Sequence, residues 1–240
     1  VDRSLIIHPK FRPADLPDIR LARWLVSHGS DVEEQFRVLA TRIRRPGDGR
    51  DVPGQVIAVT SAVAGEGKTL NSINLAASLA RDFHRRVLLL EGDFKHPVLG
   101  RIYSSRPGLR DHLAAGAPLE ECLCGTDVDG LTVLMSGMGR GAPTDRSTQF
   151  LGSPDLHRLV LRLRERFDFV IVDGPPLLPL ADMRLIEEWS DHLLLVVRAA
   201  GTDRSVVKRA LEGIDRKKFL GVVLNAATGL PRSYGYGVAY

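Results

Sequence analysis

Cysteine is nearly absent: Cys122 and Cys124 are the only two in 240 residues. One intervening residue makes a disulfide between them strained, and two thiols alone do not complete a zinc site. Both are expected to stay reduced. Long apolar runs are missing too, and none approaches the roughly 18 residues that span a bilayer. The stretch from Val1 to Lys10 mixes charges with its apolar residues and does not read as a secretory leader. These absences predict a cytoplasmic location. Lysine is scarce, limited to Lys10, Lys68, Lys95, Lys208, Lys217 and Lys218, so arginine supplies most of the positive charge. The net charge of +4 is a mild excess. It would suit an anionic surface or an acidic partner, but a solvated surface explains it as well. No nucleic-acid partner is expected. A chain of this length with 44% hydrophobic residues can bury one substantial core.

Pro9, Pro13 and Pro17 predict an extended start. A helix is expected from Ser30, where Ser30 and Glu33 fit a capping box. Val32, Phe36, Leu39 and Ile43 form its apolar stripe. Pro46 and the glycine-rich 47–54 stretch end it. Short β-rich apolar runs then recur at Gln55–Ser61, Arg86–Glu91, Leu131–Met135, Phe169–Asp173, His192–Val197 and Leu220–Asn225. Helical patterns fall between several of them, at Lys68–Phe83, Pro154–Arg166, Asp182–Trp189 and Asp203–Ile214. Leu109–Cys124 reads as a helix-and-loop excursion, and Gly137–Gly152 as a loop. Strands apolar throughout and separated by helices predict an α/β fold, a mostly parallel sheet with helices on both faces. Right-handed crossovers then gather the ligand site at the strand C-terminal edge. The expected organisation is an N-terminal extension with one helix (1–53), a P-loop nucleotide-binding domain (54–228) and a flexible tail (229–240).

The strongest chemical signal is Ala62-Val63-Ala64-Gly65-Glu66-Gly67-Lys68-Thr69, placed between a strand and a helix. Glycines let backbone N–H groups turn inward around phosphates, and the helix N-terminus adds partial positive charge. Lys68 would reach the β- and γ-phosphates, and the Thr69 hydroxyl would ligate Mg2+. The expected nucleotide contacts are Ala64, Gly65, Glu66, Gly67, Lys68, Thr69 and Leu70. A second signal is Phe169–Asp173, an apolar strand ending in the aspartate that a Walker B element requires to organise the magnesium shell. Gly174-Pro175-Pro176 follows as a rigid turn. A third is Val87–Asp93, a strand ending in two carboxylates. If the chain stays extended, Glu91 and Asp93 lie on the same side; one would help bind the metal and the other accept a proton. The expected catalytic set is therefore Lys68, Glu91, Asp93 and Asp173, with Thr69 and Asp173 as metal ligands and either Glu91 or Asp93 joining them. Finally, Tyr234, Tyr236 and Tyr240 crowd the last seven residues of a chain with four tyrosines. Tyrosines in a glycine-rich tail are accessible and lack an obvious packing duty.

Taken together, the Thr60–Thr69 loop, the acidic strand Leu88–Asp93, Phe167–Pro176, the Gly221–Asn225 strand and the tyrosine tail resemble the bacterial tyrosine kinases. These are cytoplasmic autokinases of capsule and exopolysaccharide assembly. The resemblance spans residues 30–240. It implies ATP and Mg2+ as cofactors, Lys68 and Thr69 holding phosphate and magnesium with Asp93 and Asp173 completing the acidic metal site, Asn225 near the adenine, and the tail tyrosines as acceptors phosphorylated by a neighbouring subunit in a homo-oligomer. It also implies activation by the cytoplasmic tail of a membrane polysaccharide co-polymerase, and so a peripheral position at the inner membrane. Departures from the family pattern are Glu91 for the usual aspartate, Lys95 for arginine and Ala64 for proline. In the family's Glu-x-x-Arg-x-x-Arg oligomerisation motif, Glu34 and Arg37 match but Ala40 replaces the second arginine. Two other readings compete. One is a ParA/MinD-like ATPase switch, although Val63 stands where that group has its signature lysine. The other is a catalytically weak nucleotide-binding regulatory subunit of a polysaccharide export complex.

Overall fold

The computed structural model describes residues 18–43, 54–103, 105–137, 147–178 and 181–227. The tyrosine tail and the proline-rich start lie outside the described residues. Among the described residues eight strands form one sheet: β1 (Asp18–Ile19), β2 (Gln55–Ser61), β3 (Val87–Glu91), β4 (Leu123–Thr126), β5 (Leu131–Leu134), β6 (Phe169–Asp173), β7 (His192–Arg198) and β8 (Phe219–Asn225). Their order is β1-β4-β5-β3-β6-β2-β7-β8. Every neighbouring pair is parallel except β4 with β5. The α/β, mostly parallel expectation holds. Six strands coincide with the apolar runs of the sequence. The other two, β1 and β4, are too short to show a period, and β4 begins in the last two residues of the stretch read as a helix-and-loop excursion.

Nine α-helices occur among the described residues: α1 (Asp31–Ile43), α2 (Lys68–Phe83), α3 (Leu99–Ile102), α4 (Leu109–Ala115), α5 (Leu119–Cys122), α6 (Ser147–Leu151), α7 (Pro154–Arg166), α8 (Ala181–Trp189) and α9 (Arg204–Leu211). Part of the stretch read as a loop at 137–152 is thus helical, as α6. Successive side chains of a strand point to opposite faces, so each central strand feeds two apolar clusters. Ile57, Val59, Leu89 and Ile171 pack with Ile73, Leu75, Ala76 and Leu79 of α2 and with Phe36, Ala40 and Ile43 of α1. Val56, Ala58, Leu90, Val170 and Val172 pack with α7, α8 and α9 through Leu156, Leu163, Ile186 and Ala210. Both faces are covered, which is why these strands are apolar at every position.

The first helix begins as expected, with the Glu33 N–H donating to the Ser30 hydroxyl at 3.1 Å. The reciprocal half of the capping box differs: the Glu33 carboxylate accepts from the Gly29 N–H at 2.6 Å and pairs with Arg81 of α2. The backbone bond from Gly29 and the contact with His28 hold Glu33 below the usual carboxylate range, against the opposing effect of its burial. The buried stripe of α1 is Phe36, Ala40 and Ile43, while Val32 is exposed. Helix α1 meets α2 by a line that starts one turn later than the sequence pattern places it.

Candidate nucleotide and phosphotransfer site

Parallel register brings three loops together at one edge. Val59 of β2 lies opposite Asp173 of β6, and Asp173 lies opposite Glu91 of β3. The loop after β2 therefore sits beside the ends of both acidic strands. Backbone bonds fix this edge. Gly174 N–H donates to the Val59 carbonyl (2.9 Å), Leu177 N–H to Ser61 (2.7 Å) and Leu178 N–H to Ala62 (3.1 Å). The Thr60 hydroxyl donates to the Pro175 carbonyl at 2.7 Å. The Gly174-Pro175-Pro176 turn thus runs alongside the phosphate loop, as the sequence suggests.

Gly67 has φ of 94°, and a Cβ there would lie 2.1 Å from the Asn225 Nδ2. Only glycine suits both constraints. Gly65 is also left-handed, at φ 82°. Lys68 and Thr69 open α2, where the free N–H groups of a helix start favour an anion. Ala64 and Gly65 form the exposed tip of the loop, Leu70 is exposed on α2, and Lys68 is buried.

Asp173 is almost completely buried. Burial pushes its pKa up to about 7; a hydrogen bond from Thr69 and the Lys68 ammonium oppose the rise, and the Glu91 and Asp93 carboxylates add to it. Lys68, Thr69, Glu91 and Asp93 thus all lie within electrostatic reach of Asp173. Ser72, one turn into α2, brings its hydroxyl to 3.2 Å from Asp173 Oδ1 and 3.0 Å from the Lys68 carbonyl. Sequence reading missed Ser72; its only signal is a polar residue one helical turn after Lys68.

Glu91 departs from expectation. It is fully buried, and its Oε1 accepts from the Leu99 N–H at 2.6 Å. Its Oε2 accepts from the Gly100 N–H (2.9 Å), the Ser136 N–H (3.0 Å) and the Ser136 hydroxyl (2.8 Å). Both oxygens bind the start of α3 and the end of β5, so a role as proton acceptor or metal ligand is not supported. The reason is that the strand ends at Glu91. The Gly92 and Asp93 N–H groups both donate to the Asp173 carbonyl, at 2.9 and 3.1 Å, which no extended pair does. Alternation stops there, and the two carboxylates part. Asp93 is turned back by the His96 N–H, which donates to its Oδ1 at 3.0 Å. Lys95 pairs with Asp182 of α8 at 2.8 Å.

Two further positions have roles that motif reading did not assign. The Glu66 side chain is buried and bonded within the protein, to the Val63 and Arg198 N–H groups and the Thr202 hydroxyl. Asn225, expected near an adenine, donates from Nδ2 to the Glu66 carbonyl at 2.8 Å and so lies against the loop itself.

The donor set fits magnesium. Thr69, Asp93 and Asp173 offer hard oxygen donors, and no group of three His, Cys, Asp or Glu residues among the described residues forms a metal cage. Mg2+ is ordinarily held by one or two carboxylates together with phosphate oxygens and waters, so a cage is not required. Among the described residues, no helix is long and apolar enough to cross a membrane. Tyr103 is the one tyrosine in the described part, and its hydroxyl donates to the Arg20 carbonyl at 2.8 Å. On α1, the exposed Glu34 pairs with the half-buried Arg37, which also reaches Asp82 of α2 at 3.8 Å, whereas Ala40 is fully buried against α2.

Residues 54–216 match the family described as an AAA domain. The chain is 33% identical over 225 residues to the tyrosine-protein kinase CpsD of Streptococcus pneumoniae serotype 4, covering 92% of this chain and 95% of that protein. The chimerical protein CapA2B2 superposes with a TM-score of 0.75 at 27% identity, over 89% of this chain and 94% of that one. The kinase domain of VpsO gives a TM-score of 0.67 at 29% identity, over 82% and 97%. A P-loop strand beside the acidic end of β6, with the second acidic strand β3 on the far side of β6, on a sheet of this order and with relatives of this kind, places the chain in the bacterial tyrosine kinase family, as a nucleotide-binding protein-tyrosine kinase.

Proposed function

We propose that this kinase transfers the γ-phosphate of ATP to Tyr234, Tyr236 and Tyr240 of a neighbouring copy, and that this regulates polymerisation and export of a capsule or exopolysaccharide. The observation that carries the chemistry is the placement of Asp173. It lies in register between the loop strand and β3, bonded by Thr69 and Ser72, within reach of the fields of Lys68 and Asp93. In the proposed roles, the loop from Ala64 to Leu70 encloses the phosphates and Lys68 neutralises charge on the β- and γ-groups. Thr69, Asp173 and Asp93 would hold Mg2+, which supplies further neutralisation of the phosphates when bound. Asn225, at the edge of the loop, would border the base. A tyrosine hydroxyl has a pKa near 10, so its attack gains from a proton acceptor. Asp93 is the remaining candidate, since both Glu91 oxygens are occupied.

Tyr103 is tied to the body of the fold, which leaves the tail as the source of acceptors. Transfer between copies requires a homo-oligomer. We further propose a cytoplasmic enzyme held at the inner membrane by the cytoplasmic tail of a polysaccharide co-polymerase. A name among the relatives is consistent with this setting: the chain is 34% identical over 177 residues, 71% of its own length and 22% of the relative's, to the succinoglycan biosynthesis transport protein ExoP of Rhizobium meliloti. The domain division at 53/54 and 228/229 belongs to the same proposal.

The test is a phosphotyrosine map by mass spectrometry after incubation with ATP and Mg2+, with the co-polymerase tail added. Phosphate on the three tail tyrosines is expected, absent in Lys68→Met and without Mg2+. Undiminished labelling after all three are changed to Phe would refute the tail assignment. ATP bound with no tyrosine labelled, with the activating tail present, would favour a switch or regulatory subunit.

A further inference from the structure

Glu66 sits inside the phosphate loop, yet its carboxylate is spent within the protein. Oε2 accepts from the Val63 N–H at 2.9 Å. Oε1 accepts from the Thr202 hydroxyl at 2.6 Å and from the Arg198 N–H at 3.2 Å. Its own carbonyl accepts from Asn225 Nδ2 at 2.8 Å. Arg198 ends β7, Asn225 ends β8, and Thr202 lies in the turn before α9. The two strand ends are joined in turn by the Ala199 N–H, which donates to the Asn225 carbonyl at 2.8 Å. The turn also contains Ala200 at φ 54°, a conformation that a residue with a Cβ enters at some cost.

We propose that Glu66 is a positioning residue for the nucleotide, and that Thr202 is its anchor. The pair holds the loop in its phosphate-binding shape and couples that shape to the 198–202 turn. The inference rests on the reading that nucleotide binds at this loop, and is independent of which tyrosine is phosphorylated. A phosphate loop works by aiming N–H groups inward. A loop that must be ordered by its ligand loses affinity in proportion to the freedom given up. Glu66 removes that freedom in advance, by tying the first half of the loop to two strand ends on the side of β2 away from Asp173. Glutamine cannot substitute fully. A carboxamide has one acceptor oxygen, so its NH2 must face the N–H of either Val63 or Arg198. The residue pattern alone gives no sign of this, because Thr202 is 136 positions away.

The experiment uses the full chain as wild type, Glu66→Gln, Thr202→Val, Thr202→Ser and the Glu66→Gln/Thr202→Val double variant. Calorimetry gives Kd for ATP and ADP, steady-state labelling gives kcat and KM for ATP, and thermal melting checks folding. Loss of pre-organised binding shared by ground and transition states raises KM and leaves kcat. Thr202→Val is expected to weaken ATP and ADP alike by about 3- to 10-fold with kcat unchanged, while Thr202→Ser keeps wild-type affinity. Because the two residues form one tie, the double variant should lose less affinity than the product of the two single losses. Wild-type affinity in Thr202→Val, or losses that multiply in the double variant, would overturn the proposal. Thr202 lies in a partly exposed turn, so its variants decide the matter even if Glu66→Gln folds poorly. A wild-type chain that binds no nucleotide would overturn the site reading as well, and is distinguished by that control alone.

Discussion

Glu91→Gln separates a structural carboxylate from a catalytic one. Glu91 accepts four hydrogen bonds in a fully buried setting, three from backbone N–H groups and one from Ser136. The carboxamide best keeps its oxygen where three donors converge, at the Oε2 position. Its NH2 then faces the Leu99 N–H, and one charge-assisted bond becomes a donor–donor contact. A hydrogen bond to a charged group contributes about 1.5–3 kcal/mol, and a buried unsatisfied donor costs about 1–3 kcal/mol. These overlap, so a loss of about 3 kcal/mol is expected. For a chain of this size 1 kcal/mol moves Tm by about 2–4 °C, which gives a drop of about 6–12 °C. At a temperature well below that melt, Glu91→Gln should retain most of its turnover. Asp93→Asn should behave in the opposite way, with little change in Tm and a loss of about 10²- to 10⁴-fold in transfer, the usual scale for removing a general base. Differential scanning calorimetry and radiolabel transfer at 20 °C or so read both quantities on the same preparations. A Glu91→Gln enzyme that melts with wild type and has lost its transfer would refute the reasoning.

Two other outcomes follow from buried and paired groups. Burial pushes the Cys122 thiol up to about 12, with Asp111 adding to the effect, and Cys124 is raised by burial as well. The reactive thiolate is therefore absent near neutral pH, and the native chain should resist maleimide at pH 8 or so while the urea-unfolded chain labels at both positions. Asp168 is held below the usual carboxylate range despite its burial, by side-chain and backbone hydrogen bonds from Arg86. A depressed carboxylate contributes stability that is present above its unfolded pKa of about 3.9 and is lost as pH falls through the lower folded value. Asp168→Asn should thus lower stability at neutral pH and flatten the acid limb of a urea-melt series against pH; an unchanged acid limb would remove the ion pair from the account.

The comparison of Glu91 with Asp173 shows where sequence reading stops. Both end apolar strands, and the same sequence pattern points both to the site. Asp173 stays there because β6 is central, with β2 and β3 on either side in register. Glu91 turns away because Gly92 and Asp93 both bond the Asp173 carbonyl, which ends the alternation one residue early. No local pattern carries that information. Ala40 gives a second case. It reads as a gap in an exposed motif, but the structure packs it fully against α2, while Glu34 and Arg37 remain outside. A substituent at position 40 has first to fit between two helices.

The α/β class, six of the eight described strands, the phosphate loop and the acidic end of β6 are legible in the order of residues, because these depend on periods and spacings within one element. The sequence also carried the family, through the order of those motifs along the chain. Tertiary structure alone decided which carboxylate faces the site, why Gly67 must be glycine beside Asn225, and that Glu66 answers to Thr202. Those outcomes are set by hydrogen bonds between residues far apart in the chain. Their partners become neighbours only once the strands have chosen an order.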